Sequence, residues 1–421
     1  QGAIAKGRQL GAKTEREKEY LEAVGAYWED FANRTERQRA VARSKAYQAL
    51  AAKYPKDDEA QIFNALYLIA IQERSDQTYR DSLQAAAILE KQFAKHPNHP
   101  GIAHYLIHAY DAPPIAQKGL PSARRYASIA PDAPHALHMP SHIFTRVGAW
   151  QDSITTNRRS AEIALRGKEG DDALHALDYV VYAQLQLGRD GDARKTLAEA
   201  MSISGSTPRF IAPYAQAAMP ARLVVERGAW REAAQLQPSQ SKFPFTEALT
   251  YQARAIGAAR MGDTSAATAD LEQITQRRDA LRAAKNDYWA TEVEVMRLSA
   301  AAWVSLAGNK ADEALGLMRD AADLEDRNEK HPVTPGRILP ARELLGDMLM
   351  ELKRPAEALK EYERSQQREP DRFRSLYGAA LAAEMAGDPR TARRYYARLM
   401  QVAGKGEPRA ELQLARIYLE Q

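Results

Sequence analysis

Near the C-terminus, Gly346, Ala358 and Tyr362 reappear as Ala380, Ala392 and Tyr396, each 34 residues further on. A unit of that length cannot bury a core alone and is stable only when stacked on copies of itself. The small position extends upstream as Ala314, Ala267, Ala233, Ala193, Ser153 and, more loosely, Ala123. Successive spacings from Ser153 to Ala392 are 40, 40, 34, 47, 44 and 34, so the units differ by insertions. Gly148, Gly188, Gly228, Gly262 and Gly387 each stand five residues before such a position, marking a turn between two helices.

Ala, Leu, Glu, Gln, Arg and Lys dominate, and runs of Val, Ile and Thr are scarce, so propensity favours helix throughout. The small residues and the aromatic four positions later make the chain resemble the tetratricopeptide repeat (TPR) family. That resemblance implies an all-α fold, an α-solenoid of helix-turn-helix repeats winding as a right-handed superhelix. The match is strong over 134–421 and degenerate over 1–133, where 14–34 pairs with 36–53 and 57–72 with 81–95. No linker composition divides the two parts, so a single continuous solenoid is expected. Two turns read identically as Gly-Ala-Trp, and Trp150 and Trp230 are expected as core wedges.

The 59 basic and 55 acidic residues are interspersed, leaving a net charge of +4. Pairs such as Arg124-Arg125 and Arg277-Arg278 lack interleaved aromatics, so no nucleic-acid partner is expected. No stretch approaches the roughly 18 apolar residues of a membrane span. Without cysteine there are no disulfides, thiolate ligands or thiol nucleophiles, which fits an oxidising compartment. Because the chain begins at Gln1, a segment ahead of it is expected to have been removed.

Nine histidines are present, and eight fall between His96 and His175. In the TPR pattern, positions 2, 5, 9 and 12 of the first helix of each pair share the face lining the concave groove. Registered on Ser153, these include His135, His138 and His142; registered on Ala193, they include His175, Asp178 and Tyr182. Aligning "HYLIHAY" with "HMPSHIF" adds His104 and His108, with Asp111 at position 12 and Tyr105 beside them. Pro140 interrupts the middle helix: if a helix begins there, His138 lies in the loop before it. His96, His99 and His331 read as loop residues.

Histidines four apart lie one turn above another and can share a metal ion. The expected ligands are His104, His108, His138, His142, His175 and Asp178, with Asp111, His135, Tyr105 and Tyr182 around them. Imidazole and carboxylate suit zinc, copper, nickel or iron. Two other readings stand beside this one: a metal-free adaptor gripping a peptide or partner protein in the groove, and a metal-dependent enzyme. No nucleophile elbow, phosphate loop or H-E-x-x-H motif is present to specify a reaction. The motifs "HPGIAHYLIHAYD" and "APHALHMPSHIF" resemble those of bacterial, often exported TPR proteins, which implies a periplasmic or membrane-associated setting.

Overall fold

A computed structural model describes residues 1–203 and 209–421, and every regular element among them is helical. No helix among the described residues is long and apolar enough to cross a membrane. The chain divides into two compact units, Gln1–Ala130 and Pro131–Gln421.

In the first unit, helices Glu15–Gly25, Glu36–Lys53, Asp58–Ile71, Arg80–Lys95, Pro100–Tyr110 and Leu120–Ile129 pack each on the next. Local sequence sets their starts. Thr14 and Thr35 close capping boxes with Glu17 and Gln38, and the Asp57 carboxylate accepts from the Ala60 N–H. The helix expected over 14–34 stops at Gly25, and a further helix, Gly2–Leu10, precedes it.

The second unit is a succession of TPR-type helix-turn-helix pairs. Pro134–His138 and Pro140–Arg146 together face Trp150–Arg166; Gly170–Gln186 then pairs with Asp190–Met201, and the pattern runs to Phe373–Met385 with Pro389–Ala403, closed by Ala410–Glu420. The positions read as small, from Ser153 to Ala392, have no exposed surface, and neither does Ala123 in the first unit. Nothing larger fits where the two helices of a pair cross. The Ile211–Val225 helix meets a partner of one turn only, Trp230–Ala234. Pro238 explains the truncation, because its ring would clash with the carbonyl of residue 234 in a continuing helix.

All five turn glycines adopt left-handed backbone, with φ between 63° and 82°. In the two pairs that lack glycine, Asn309 (φ 61°) and Lys353 (φ 58°) occupy the same place, five residues before Ala314 and Ala358. The turn geometry belongs to the repeat, and a non-glycine residue there carries its cost. Lys353→Gly is therefore expected to raise stability by up to about 1 kcal/mol, read as a shift in the urea midpoint. A fall in stability would show that the Lys353 side chain contributes more than the backbone strain costs.

Within the second unit, the C-terminal helices return to the early ones. The Trp150 indole Nε1–H donates to the Asp371 carbonyl (2.9 Å), the Phe373 N–H to Gln186 Oε1 (2.9 Å), and the Glu407 N–H to the Gly188 carbonyl (2.9 Å). The face of the 170–186 helix expected to line an open groove is thus covered by the chain's own residues. Segment 327–340 lies there too: the Tyr179 hydroxyl donates to the Pro332 carbonyl (3.1 Å), and Arg222 donates to the carbonyls of Gly336 (2.6 Å) and Arg337 (2.9 Å) and to Thr334 Oγ1 (3.1 Å).

Candidate metal centre

The Pro140 interruption does not separate its two histidines. Met139 keeps right-handed helical dihedrals (φ −52°, ψ −37°), its N–H reaches the His135 carbonyl (3.0 Å), and the His142 N–H reaches the Met139 carbonyl (3.1 Å). One helix ends at His138 and the next starts at Pro140, where a missing N–H costs nothing. His138 is therefore a helical residue rather than a loop residue. Its Nε2 lies 3.1 Å from His142 Nε2.

His175, from the 170–186 helix, completes the group. One ring nitrogen from each of His138, His142 and His175 lies within 4.8 Å of the others, and among the described residues no other set of three histidine or carboxylate ligands comes together in this way. His138 and His142 are buried and His175 is partly exposed. Two imidazoles on a tetrahedral zinc ion at 2.0–2.1 Å sit about 3.4 Å apart, so the first pair, at 3.1 Å, is already close to that spacing.

Asn157 orients the group. Its Nδ2 donates to the Ser153 carbonyl (2.8 Å), which turns Oδ1 towards His138 Nδ1 (2.7 Å). Nδ1 then carries the proton, and the Nε2 lone pair points at His142. Tyr179 packs edge-on against His138 and His175, at centroid distances of 4.8 and 5.4 Å, and lies 5.6 Å from His142. The shell that positions the imidazoles is thus Asn157 and Tyr179. The TPR register pointed to Asp178 and Tyr182 instead, but Tyr179, four residues after His175, shares the histidine's side of the helix.

Asp178 and Tyr182 have other work. Asp178 Oδ1 pairs with Arg222 Nε at 3.3 Å, both side chains wholly buried, and Oδ2 has no hydrogen-bond partner among the described residues. Burial pushes the Asp178 carboxyl up to about 6 against the pull of Arg222. The Tyr182 hydroxyl donates to Glu369 (3.2 Å) and accepts from Arg372 (2.7 Å). Neither belongs to the histidine group.

His135 sits at the exposed edge, its ring 6.4 Å from that of His138. His104 and His108 belong to the first unit, where their Nε2 atoms lie 3.1 Å apart and His104 stacks on Tyr126. Tyr105 packs beside His104 at 5.5 Å, and Asp111 caps the same helix. His96 and His99 pair with Asp58 (2.8 Å) and Glu59 (3.1 Å). His331 stacks on Trp289 at 5.2 Å within segment 327–340 and so is not isolated. That ring contact joins residues far apart in the sequence and was not legible there.

Electrostatics disfavour a charge on His138 and His175. Burial, then the charge of His175, holds the His138 imidazole well below its ordinary value; burial, then His142 and His135, pushes His175 down to about 3. Above about pH 6.5 folded and unfolded chains are both neutral at these sites, so they contribute no pH dependence. As pH falls from there towards the depressed folded values, the unfolded chain takes up protons that the fold refuses. Metal-free protein should lose stability in that window by up to about 1.4 kcal/mol per pH unit for each histidine, and His138→Gln should flatten the slope in urea titrations. A slope unchanged by His138→Gln would mean that His138 titrates normally in the fold.

No protein-family profile and no curated protein matches the chain. Among solved structures, it is similar to yeast Tom70, at 12% identity and a TM-score of 0.37 over 96% of each chain. It is also similar to a chain of the APC/C hetero-tetramer Cut9-Hcn1, at 11% identity and a TM-score of 0.35 over 91% of this chain and 76% of that one.

Proposed function

We propose that this TPR-type scaffold holds one transition-metal ion on His138, His142 and His175. The observation that carries the reading is the convergence of three imidazoles, one of them fixed in its tautomer by Asn157. Ion binding takes both facing Nε2 lone pairs, and the proton shared between His138 and His142 moves to the other nitrogen of His142. Three protein ligands leave a position for water or a ligand atom, the arrangement of exchangeable rather than closed sites. Nitrogen-only ligation favours zinc, copper(II) or nickel over hard cations.

A metal-dependent enzyme is the same site with a substrate at that open position. A metal-free peptide adaptor is less well supported in the second unit, because segment 327–340 and residues 369–373 cover the inner face of the 170–186 helix. Elemental analysis of untagged protein tests the reading. One equivalent of a single metal is expected, and a metal content at background after incubation with zinc, copper and nickel would sink it.

A further inference from the structure

In the first unit the helices Glu36–Lys53 and Arg80–Lys95 both pack on Asp58–Ile71. Between them opens a cleft of about 510 Å³, with the first half of Asp58–Ile71 as its floor. Its walls are the second helices of two successive pairs, so it lies apart from the first-helix face that the repeat register assigns to a concave groove. We propose that this cleft binds an acidic peptide segment of another protein in extended conformation. The metal centre, in the second unit, has no part in it.

Two buried carboxamides point to a ligand. Asn64 on the floor and Gln92 on one wall are only 6% and 5% exposed, and both line the cleft. Neither Asn64 Oδ1 nor Gln92 Oε1 has a hydrogen-bond partner among the described residues. An unpaired buried acceptor is costly, and a donor brought in by a ligand removes that cost. Gln92 cannot exchange its two ends freely, because its amide helps to hold the Asp58 carboxylate ionised. Gln61, also in the lining, spends its amide on the Ala51 carbonyl (2.9 Å). The cleft is thus short of N–H or O–H donors. The terminal torsion of a carboxamide is broad, so a small rotation turns each unpaired oxygen towards an occupant.

A peptide backbone supplies donors at regular intervals, and its carbonyls accept from carboxamide N–H groups in return. From Ile88 to Lys95 the wall rises about 10 Å, the span of about three extended residues. Charge then selects among peptides. Lys91 and Lys95, one turn apart, are exposed at the rim, and no carboxylate is among the described lining residues. Lys95 pairs with Asp58 (3.0 Å), which leaves Lys91 as the cation placed to meet an acidic side chain. The described lining has no aromatic ring either, so a sugar would find no face to stack on.

Fluorescence-anisotropy titration of the full chain tests this with end-capped, dye-labelled pentapeptide pools. One pool carries Glu or Asp at alternate positions, a second carries Lys there, and a third is the acidic pool methylated on every backbone nitrogen. Saturable binding of the acidic pool is expected, at least tenfold tighter than of the other two. Asn64→Leu, Gln92→Leu and Lys91→Glu should each weaken it about tenfold. Urea midpoints show which variants are folded, and Lys91→Glu, on the exposed rim, asks nothing of the core. Absence of binding by the acidic pool, equal binding of the basic or the methylated pool, tighter binding of oligogalacturonate, or binding unchanged in the folded variants would overturn the proposal.

Discussion

Arg372→Ala is expected to destabilise the second unit by about 3–5 kcal/mol, the typical cost of stripping one partner from a buried ionic group. The guanidinium has no exposed surface and donates to Glu343 (3.1 and 3.2 Å), Glu226 (2.7 Å) and the Tyr182 hydroxyl (2.7 Å). Glu226 Oε2 already lacks a partner among the described residues, so the variant leaves that carboxylate buried and unpaired. Burial alone would raise the Glu343 carboxyl, but Arg372 and Arg374 hold it below its ordinary value, and the Arg372 contribution goes with the substitution. The effect is not confined to the pair. Residue 372 precedes the 373–385 helix, whose first N–H is bound by Gln186, so the contact between the C-terminal helices and the 170–186 helix loosens as well. Urea unfolding measures the loss. Adding Glu226→Gln should restore part of it, because the uncompensated charge is then gone. A cost below about 1 kcal/mol would mean that the return of the C-terminal helices is held by apolar packing instead.

The second large effect falls on metal binding. His138→Ala and His142→Ala should each remove the bound ion from purified protein, since two remaining imidazoles make a weak site. Asn157→Leu keeps all three ligands but frees the His138 ring, and a loss of about 10- to 100-fold in affinity is expected, as for other residues that orient a ligand. The His104→Ala/His108→Ala variant is the control. It removes an equally close pair with the same i,i+4 spacing, one that is not part of a three-ligand group among the described residues. Retention of one equivalent by this variant, with loss in the first two, assigns the ion to the second unit. The reverse pattern would move the site to the 100–110 helix.

Much of the fold was legible in the residues. A small side chain recurring at a helix crossing is a local requirement of one repeat, and the structure meets it at every copy from Ser153 to Ala392; the left-handed turn five positions earlier is equally regular, filled by glycine in five copies and by Asn309 and Lys353 in the other two. The i,i+4 histidine pairs were legible for the same reason, because helical spacing alone sets them one turn apart. His175 was reachable through register. Asn157 and Tyr179 were not singled out, although Tyr179 is the i+4 neighbour of His175 and a helical-face argument started from that histidine would have reached it.

Contacts between residues far apart in sequence were decided only by the tertiary structure. Asp178 reads as a ligand on a groove face, but that face receives Arg222, whose guanidinium ties it to the carbonyls of Gly336 and Arg337, more than 110 residues further on. Trp150 and Trp230 share one motif and part company because Asp371 reaches the first while a cleft opens beside the second. Periodicity is a property of neighbouring residues, so the sequence determined the repeat, its turns and the histidine pairs. Which face of the array is covered depends on how the units stack and on where the distant segment 327–340 comes to rest, and no local pattern encodes that.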